Sequence, residues 1–217
     1  MTLSMTPNNP YPTSRLAALR GLVPIRPLSQ LEALRVAELQ ATRLLALSGI
    51  KAPAVPEAII ADMPKIEVRR VRPWPTAGCS EWAKSTWVII VNAADIPARQ
   101  RFTVAHEFKH ILDGHFAPVL YPDTPIMSSY DRAEKVCDYF AGCLLVPKVW
   151  LVRAWVSGIQ QPSALAHHFQ VSQGAIETRL SQTGLVEPKP RCEFERPDAT
   201  PGRYYRQSGM SIEPVIV

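Results

Sequence analysis

The residues with the clearest chemistry are two histidines and a glutamate, His106, Glu107 and His110, in the segment HEFKH. Residues of an α-helix advance by about 100° each, so both imidazoles and the carboxylate fall on one helix face. Imidazoles one turn apart can bind a single Zn²⁺ ion, and the glutamate then lies beside the open coordination position. Apolar residues cover the opposite face: Val104, Ala105, Phe108, Ile111 and Leu112. The pattern predicts a helix with one face on the core and a zinc site on the other.

Two histidines do not complete a zinc site, so a third ligand is expected elsewhere. The metzincin spacing requires a histidine at position 116, which is Phe116 here, and His115 is one residue short of it. Glu134 and Asp138 are better candidates, because they lie one turn apart on a stripe of the next predicted helix that otherwise faces the core. A zinc ion and the N–H of a ligating imidazole would give these acids the partners that burial demands. The alternative interpretation is an acidic, solvated helix start.

The remaining patterns predict the elements that must position these residues. Ser29 and Glu32 have the spacing of a capping box, which begins a Leu-rich helix that Gly49 ends. Apolar periodicity and prolines define the other elements. These are a short helix at 57–63, strands at 66–72 and 86–92 with a loop at 73–80, helices at 99–112 and 131–146, and two short helices within 160–185.

Composition and charge exclude some classes of protein. The chain has 217 residues, of which 47% are apolar and 20% charged, as in ordinary globular domains. Its richest apolar run, WVIIV, is far shorter than the roughly 20 residues of a membrane span. The four cysteines, Cys79, Cys137, Cys143 and Cys192, include no CxxC pair, so we expect free thiols in a reducing, cytoplasmic compartment. The formal net charge of +5 includes no Lys/Arg cluster and gives DNA binding little support.

Two segments, RQRFTVAHEFKHIL and EKVCDYFAGCLLVP, together resemble the ImmA/IrrE family of zinc metallo-endopeptidases. The resemblance implies that His106, His110 and Glu134 bind zinc and that Glu107 is the catalytic carboxylate. Asp138 falls on an Asn/Asp position of the family and would orient a ligating histidine. Asp113, which lies near the metal face of the first helix, is a competing candidate for that role. Lys109 and Asp113 depart from the family pattern, which has a small residue and an apolar residue there.

The same resemblance implies an α+β fold, with a mostly helical gluzincin-like core, a small sheet and a following helix-turn-helix-like helical segment. Prolines and charge divide the chain into four expected segments. They are a flexible N-terminal tail at 1–28, the zinc metallopeptidase domain at 29–150, the helix-turn-helix-like segment at 151–186 and a Pro-rich C-terminal tail at 187–217.

The helix-turn-helix-like segment has its apolar spacing at residues 165–180, with Gln170 where glycine is usual at the turn. Its second helix is expected to expose side chains that do not form a basic surface: Gln173, Glu177, Thr178 and Arg179. We therefore expect this segment to pack or to dock a substrate rather than to read DNA. His167 and His168 are expected to be exposed rather than to bind metal.

The function expected from these residues is that of a soluble, zinc-dependent endopeptidase acting on a protein substrate. The resemblance implies that the substrate is a helix-turn-helix repressor, whose cleavage would derepress stress-response or mobile-element genes. Strand 86–92 offers an edge for an extended substrate. Four residues are candidates for assisting zinc at the oxyanion: His115, Tyr121, Tyr130 and Tyr139. The alternative function is a DNA-binding or metal-sensing regulator that uses the same fold without proteolysis.

Overall fold

The computed structural model describes residues 14–186. In this part of the chain, helices dominate and surround one small sheet, which confirms the expected α+β class. The helices are α1 (Arg15–Arg20), α2 (Gln30–Leu47), α3 (Ala58–Ala61), α4 (Pro97–Asp113), α5 (Ala117–Leu120), α6 (Ser129–Leu145), α7 (Lys148–Val156), α8 (Pro162–Phe169) and α9 (Gln173–Thr183). The strands are β1 (Ile66–Val71), β2 (Gly78–Ala83) and β3 (Thr86–Asn92), and a 3₁₀ turn spans Gly114–Phe116.

Helix α6 lies between α2 and α4, and the three helices form the main layer of the core. The capping box of α2 is confirmed, because Ser29 and Glu32 bond to each other's backbone N–H groups. The phenyl rings of Phe108 in α4 and Phe140 in α6 lie 6.2 Å apart and are both fully buried. This contact fixes how the helix with the two histidines faces the helix with the two acids.

The sheet has the order β1–β3–β2, with β3 parallel to β1 and antiparallel to β2. Two sequence expectations are wrong here. Residues 78–80, predicted as part of a loop, begin β2, and β3 is the central strand rather than an edge. The sequence of β2 is GCSEWA, which has no β-branched residue and begins with glycine, so it lacks the composition that marks a strand.

Residues 14–28 pack against the helical layer, although the sequence predicts a flexible tail there. Leu19 is fully buried, and the guanidinium of Arg20 donates to the carbonyl of Ile111 at 2.7 Å, near the end of α4. Arg132 of α6 donates to the carbonyl of Leu28 at 2.6 Å. These arginines donate to backbone carbonyls near the end of α4 and in the segment before α2, and so join both to the helical layer. Residues 1–13 and the predicted tail at 187–217 lie outside the described residues.

The segment after α7 forms the expected helix pair, α8 and α9, and Ser172 caps α9. Gln170 adopts the left-handed conformation (φ 53°) at the turn where glycine is usual. Arg179, which was expected to be exposed, is 2% exposed. Its guanidinium donates to the carbonyl of Val146 at 3.3 Å and lies 5.4 Å from the ring centre of Tyr139. The arginine therefore anchors α9 to the core instead of offering a charge to solvent.

Within residues 14–186, no single helix is both long and apolar enough to cross a membrane. Only α6 and α7 taken together reach that length and composition, and a bend of 50° separates them. Most of the apolar side chains of α6 are buried in the protein core.

Strand β2 approaches α4 closely at Gly78. A Cβ atom at this position would lie 2.4 Å from the Cγ2 atom of Thr103 and 2.6 Å from the carbonyl oxygen of Ile90. The second of these atoms belongs to the backbone of β3 and cannot move aside without shifting the sheet. Glycine is therefore required where the edge strand crosses the helix with the two histidines.

We predict that Gly78→Ala lowers the free energy of unfolding by about 1–3 kcal/mol, because the methyl group overpacks this crossing. Urea denaturation measures the change. Gly174→Ala on α9 is the matched control, since nothing lies within 4 Å of its added Cβ. That variant should be neutral or gain up to about 1 kcal/mol. Equal stability of the two variants would show that β2 does not need glycine at this crossing.

Candidate metal centre

Helix α4 places His106 and His110 one turn apart with their rings turned toward each other. Their Nε2 atoms are 3.1 Å apart, and the two side chains are 14% and 27% exposed. At this distance, two neutral imidazole nitrogens would place their lone pairs against each other with no hydrogen between them. The contact is favourable only if a proton or a cation lies between the two nitrogens. The pair is therefore suited to hold a proton or a cation between the two rings.

Glu134 of α6 completes a triangle of donor atoms with these histidines. Its carboxylate oxygens lie 3.4 Å from the Nε2 atom of His106 and 3.2 Å from that of His110. Zinc at 2.0–2.1 Å from tetrahedral N and O ligands separates those ligands by about 3.3 Å, so the three donors fit this ion. Burial raises the pKa of Glu134, but hydrogen bonds from His106 and His110 outweigh burial and hold it well below its usual value. The carboxylate is thus ready as an anionic ligand.

Asp138, one turn after Glu134, contacts the opposite side of the His106 ring. The Nδ1 atom of His106 donates to its Oδ1 atom at 2.8 Å, which leaves Nε2 free to face the donor triangle. Burial lowers the pKa of His106, but hydrogen bonds to Asp138 and Glu134 raise it to about 9. The acid pair predicted on this helix therefore contacts the histidines, with one acid on each side of His106, but Asp138 is 63% exposed and not buried as expected.

Glu107 is 9% exposed and is held by the sheet. The hydroxyl of Ser80, in β2, donates to its Oε2 atom at 3.0 Å. The close crossing of β2 over α4 at Gly78 makes this contact possible. Ser80 was missed by the sequence analysis, because it is 27 residues from its partner in a segment that was predicted as a loop.

Cys137 is a second residue that the sequence analysis did not place at the site. The donor atoms of His106, His110 and Cys137 all lie within 4.8 Å of one another. The thiol is fully buried, and burial, together with the charge of Asp113, raises its pKa well above the usual value. A protonated thiol is a poor ligand, so Glu134 is the better third donor of the two in the absence of metal.

Asp113 does not orient a histidine, which corrects the competing expectation from the sequence. It forms a buried ion pair with Lys109, and the hydroxyl of Tyr121 donates to its Oδ2 atom at 2.8 Å. The Nζ atom of Lys109 also donates to the Tyr121 hydroxyl, at 3.3 Å. The two residues that depart from the family pattern are therefore partners, since each supplies the charge that the other needs in a buried position.

Two of the four candidates for stabilising the oxyanion, Tyr121 and Tyr139, form hydrogen bonds with other side chains. Tyr121 is 1% exposed, and burial and Asp113 raise the pKa of its hydroxyl far above the usual value. The hydroxyl of Tyr139 donates to Glu38 at 3.4 Å. His115 is exposed with its ring 4.0 Å from that of Phe116, and it is not part of the candidate cluster of His106, His110 and Cys137. His167 and His168 are exposed, as expected.

Comparison with known proteins gives one family and a similar fold. The Peptidase_M78 family model, described as an IrrE N-terminal-like domain, matches residues 58–181, which include every residue of the site. A solved structure of a Mycobacterium tuberculosis transcriptional regulator is similar in fold, with a TM-score of 0.55 and 20% sequence identity. The similarity covers 67% of this chain but only 46% of the regulator, less than half its length. No curated protein matches the sequence significantly.

We predict that Asp113→Leu destabilises the protein by about 3–5 kcal/mol, because it leaves the Lys109 ammonium buried without its partner. The double variant Lys109→Met with Asp113→Leu should recover much of that loss, because no buried charge remains. Thermal and urea unfolding of both variants measure the difference. Additive losses in the double variant would mean that the two side chains do not depend on each other.

Proposed function

Because the chain belongs to the IrrE N-terminal-like family of metallopeptidases, we propose that it is a zinc-dependent endopeptidase. In this proposal His106, His110 and Glu134 bind the zinc ion, and Glu107 is the catalytic base. The observation that carries the proposal is the triangle of donor atoms at 3.1–3.4 Å, next to a glutamate on the same helix. Three protein ligands leave one coordination position open, as catalytic zinc sites require.

The protein's own residues then have distinct parts in peptide hydrolysis. Bound zinc supplies a Lewis acid that polarises the peptide carbonyl and lowers the pKa of water. Glu107 accepts a proton from the attacking water and delivers it to the leaving amine. Ser80 restrains the Glu107 carboxylate through its hydrogen bond at 3.0 Å. Asp138 keeps His106 in the tautomer that presents Nε2.

Strand β2 provides the edge on which an extended substrate can lie. Among residues 14–186, β2 has a strand neighbour on one side only, β3, so its other edge can receive a further strand. Ser80, at the middle of β2, touches Glu107, so a peptide added to this edge runs past the catalytic carboxylate. This edge replaces strand 86–92, which was expected to receive the substrate and is central instead.

A helix-turn-helix repressor remains the proposed substrate, on the basis of the family resemblance. The segment α8–α9 is proposed to dock it, because the one arginine of α9 is buried and its exposed face carries no positive charge for phosphate contacts. The buried free thiols of Cys137 and Cys143 suit the reducing cytoplasm in which such repressors act.

The second candidate function is a transcriptional regulator that binds metal without cleaving a substrate. The observation that favours it is the similarity in fold to a protein described as a transcriptional regulator. A regulator of this kind needs the metal ligands but no catalytic base, so the effect of replacing Glu107 distinguishes the two functions.

We predict that Glu107→Gln folds and retains about one zinc ion per chain, but cleaves peptide bonds roughly 10²–10⁴-fold more slowly. The amide cannot accept the proton of the attacking water. Mass spectrometry of a peptide library incubated with zinc-loaded protein measures cleavage, and metal analysis measures binding. Glu67→Gln, the same change at an exposed site on β1, is the matched control and should keep full activity. Cleavage by Glu107→Gln at the rate of the unmodified protein would contradict the mechanism.

We predict that Glu134→Ala weakens zinc binding strongly, by two or more orders of magnitude, because a charged ligand is lost. Cys137→Ala should retain zinc with nearly unchanged affinity. Titration with a competing chelator measures both affinities. The reverse result, with zinc lost in Cys137→Ala and kept in Glu134→Ala, would make the thiol the third ligand.

A further inference from the structure

The side chains of β2 alternate between two faces of the sheet, and one face turns toward α4. Gly78 crosses Thr103 on this face, and Ser80 bonds to Glu107 on it. Since successive side chains of a strand point to opposite faces, Trp82 lies on the same face, two residues beyond Ser80. The indole is therefore on the side of the edge strand that holds the catalytic carboxylate.

Trp82 is exposed but held in place. Its side chain is 53% exposed, while Trp87, its register partner in β3, packs against the core. The two indoles meet edge to face, with ring centres 5.2 Å apart and an angle of 62° between planes. The Trp87 ring thus holds the Trp82 ring in place. The Trp82 ring can therefore bind an apolar group with little further loss of side-chain entropy.

We propose that Trp82 is a specificity-determining residue that binds a large apolar or aromatic side chain of the peptide lying on β2. The proposal rests on the proposed peptidase function and names a subsite of the same cleft. Alternate side chains of an extended peptide are about 6.5–7 Å apart, as are Ser80 and Trp82 along their strand. The substrate residue whose side chain contacts Trp82 is therefore two positions away from the substrate residue that lies opposite Ser80.

The surroundings of Trp82 favour an apolar occupant over a basic one. Lys84 follows two residues later and is exposed. Its ammonium disfavours a lysine or arginine of the substrate, although an indole alone attracts cations. Glu81 points to the opposite face of the sheet, because it alternates with Trp82, and cannot offset this lysine.

Binding to zinc-loaded Glu107→Gln protein tests the subsite without turnover. Fluorescence anisotropy is measured for labelled peptides that carry phenylalanine or alanine at each position in turn. The protein should bind peptides with phenylalanine at one position more tightly, and adding Trp82→Ala should remove that preference, about 3–10-fold, while leaving the alanine peptides unchanged. Val156→Ala, on the exposed side of α7, is the control and should keep the preference.

Two results would overturn the proposal: a phenylalanine preference that survives Trp82→Ala, or an equal loss of affinity for all peptides. If Trp82→Ala unfolds, Trp82→Phe supplies the same comparison, with a smaller ring and a reduced preference expected. Failure of the proposed peptidase function gives a different result. In that case the Glu107→Gln protein still shows the Trp82-dependent binding preference, but protein with Glu107 intact cleaves no peptide of the library.

Discussion

The proposed metal site depends on the contact between α4 and α6, because its candidate ligands come from both helices. Helix α4 supplies two imidazoles 3.1 Å apart, and α6 supplies the carboxylate that lies 3.2–3.4 Å from both. The buried rings of Phe108 and Phe140 set the distance between the helices a few residues from these donors. A shift of about 1 Å in this packing would move Glu134 away from the two imidazoles, so core packing and the geometry of the proposed site are one constraint.

Two further sets of contacts hold α4 in place, one with β2 and one with the segment that follows the helix. On one side, β2 crosses the helix at Gly78 and brings Ser80 to Glu107, so the sheet positions the proposed base rather than the proposed ligands. On another, Lys109 and Asp113 form a buried pair with Tyr121 that ties the segment after α4 back to the helix. A buried pair of this kind adds little net stability, but removal of one partner leaves an uncompensated charge, which restricts how the two positions can change.

Much of the fold and most of the site follow from local sequence patterns. His106, Glu107, His110, Glu134 and Asp138 each lie on a helix whose period places them on one face, and the structure brings the two histidines and the two acids of α6 into contact. Residues at the site that depend on contacts distant in sequence could not be predicted. Ser80 and Gly78 lie in a strand without strand-like composition. The position of Cys137 among the apolar residues of α6 is that of an ordinary core residue. Arg179 and Asp113 were misjudged because helix period does not reveal which neighbour buries a charge.

The proposal that His106, His110 and Glu134 bind one catalytic zinc ion can be tested by X-ray absorption at the zinc edge. The zinc-loaded full chain should show two imidazole nitrogens and one or two oxygens, all at about 2.0–2.2 Å, without sulfur. Cys137→Ala should leave the spectrum unchanged, and Glu134→Ala should alter the oxygen contribution. A sulfur atom at about 2.3 Å that disappears in Cys137→Ala would mean that the thiol, and not Glu134, is the third zinc ligand.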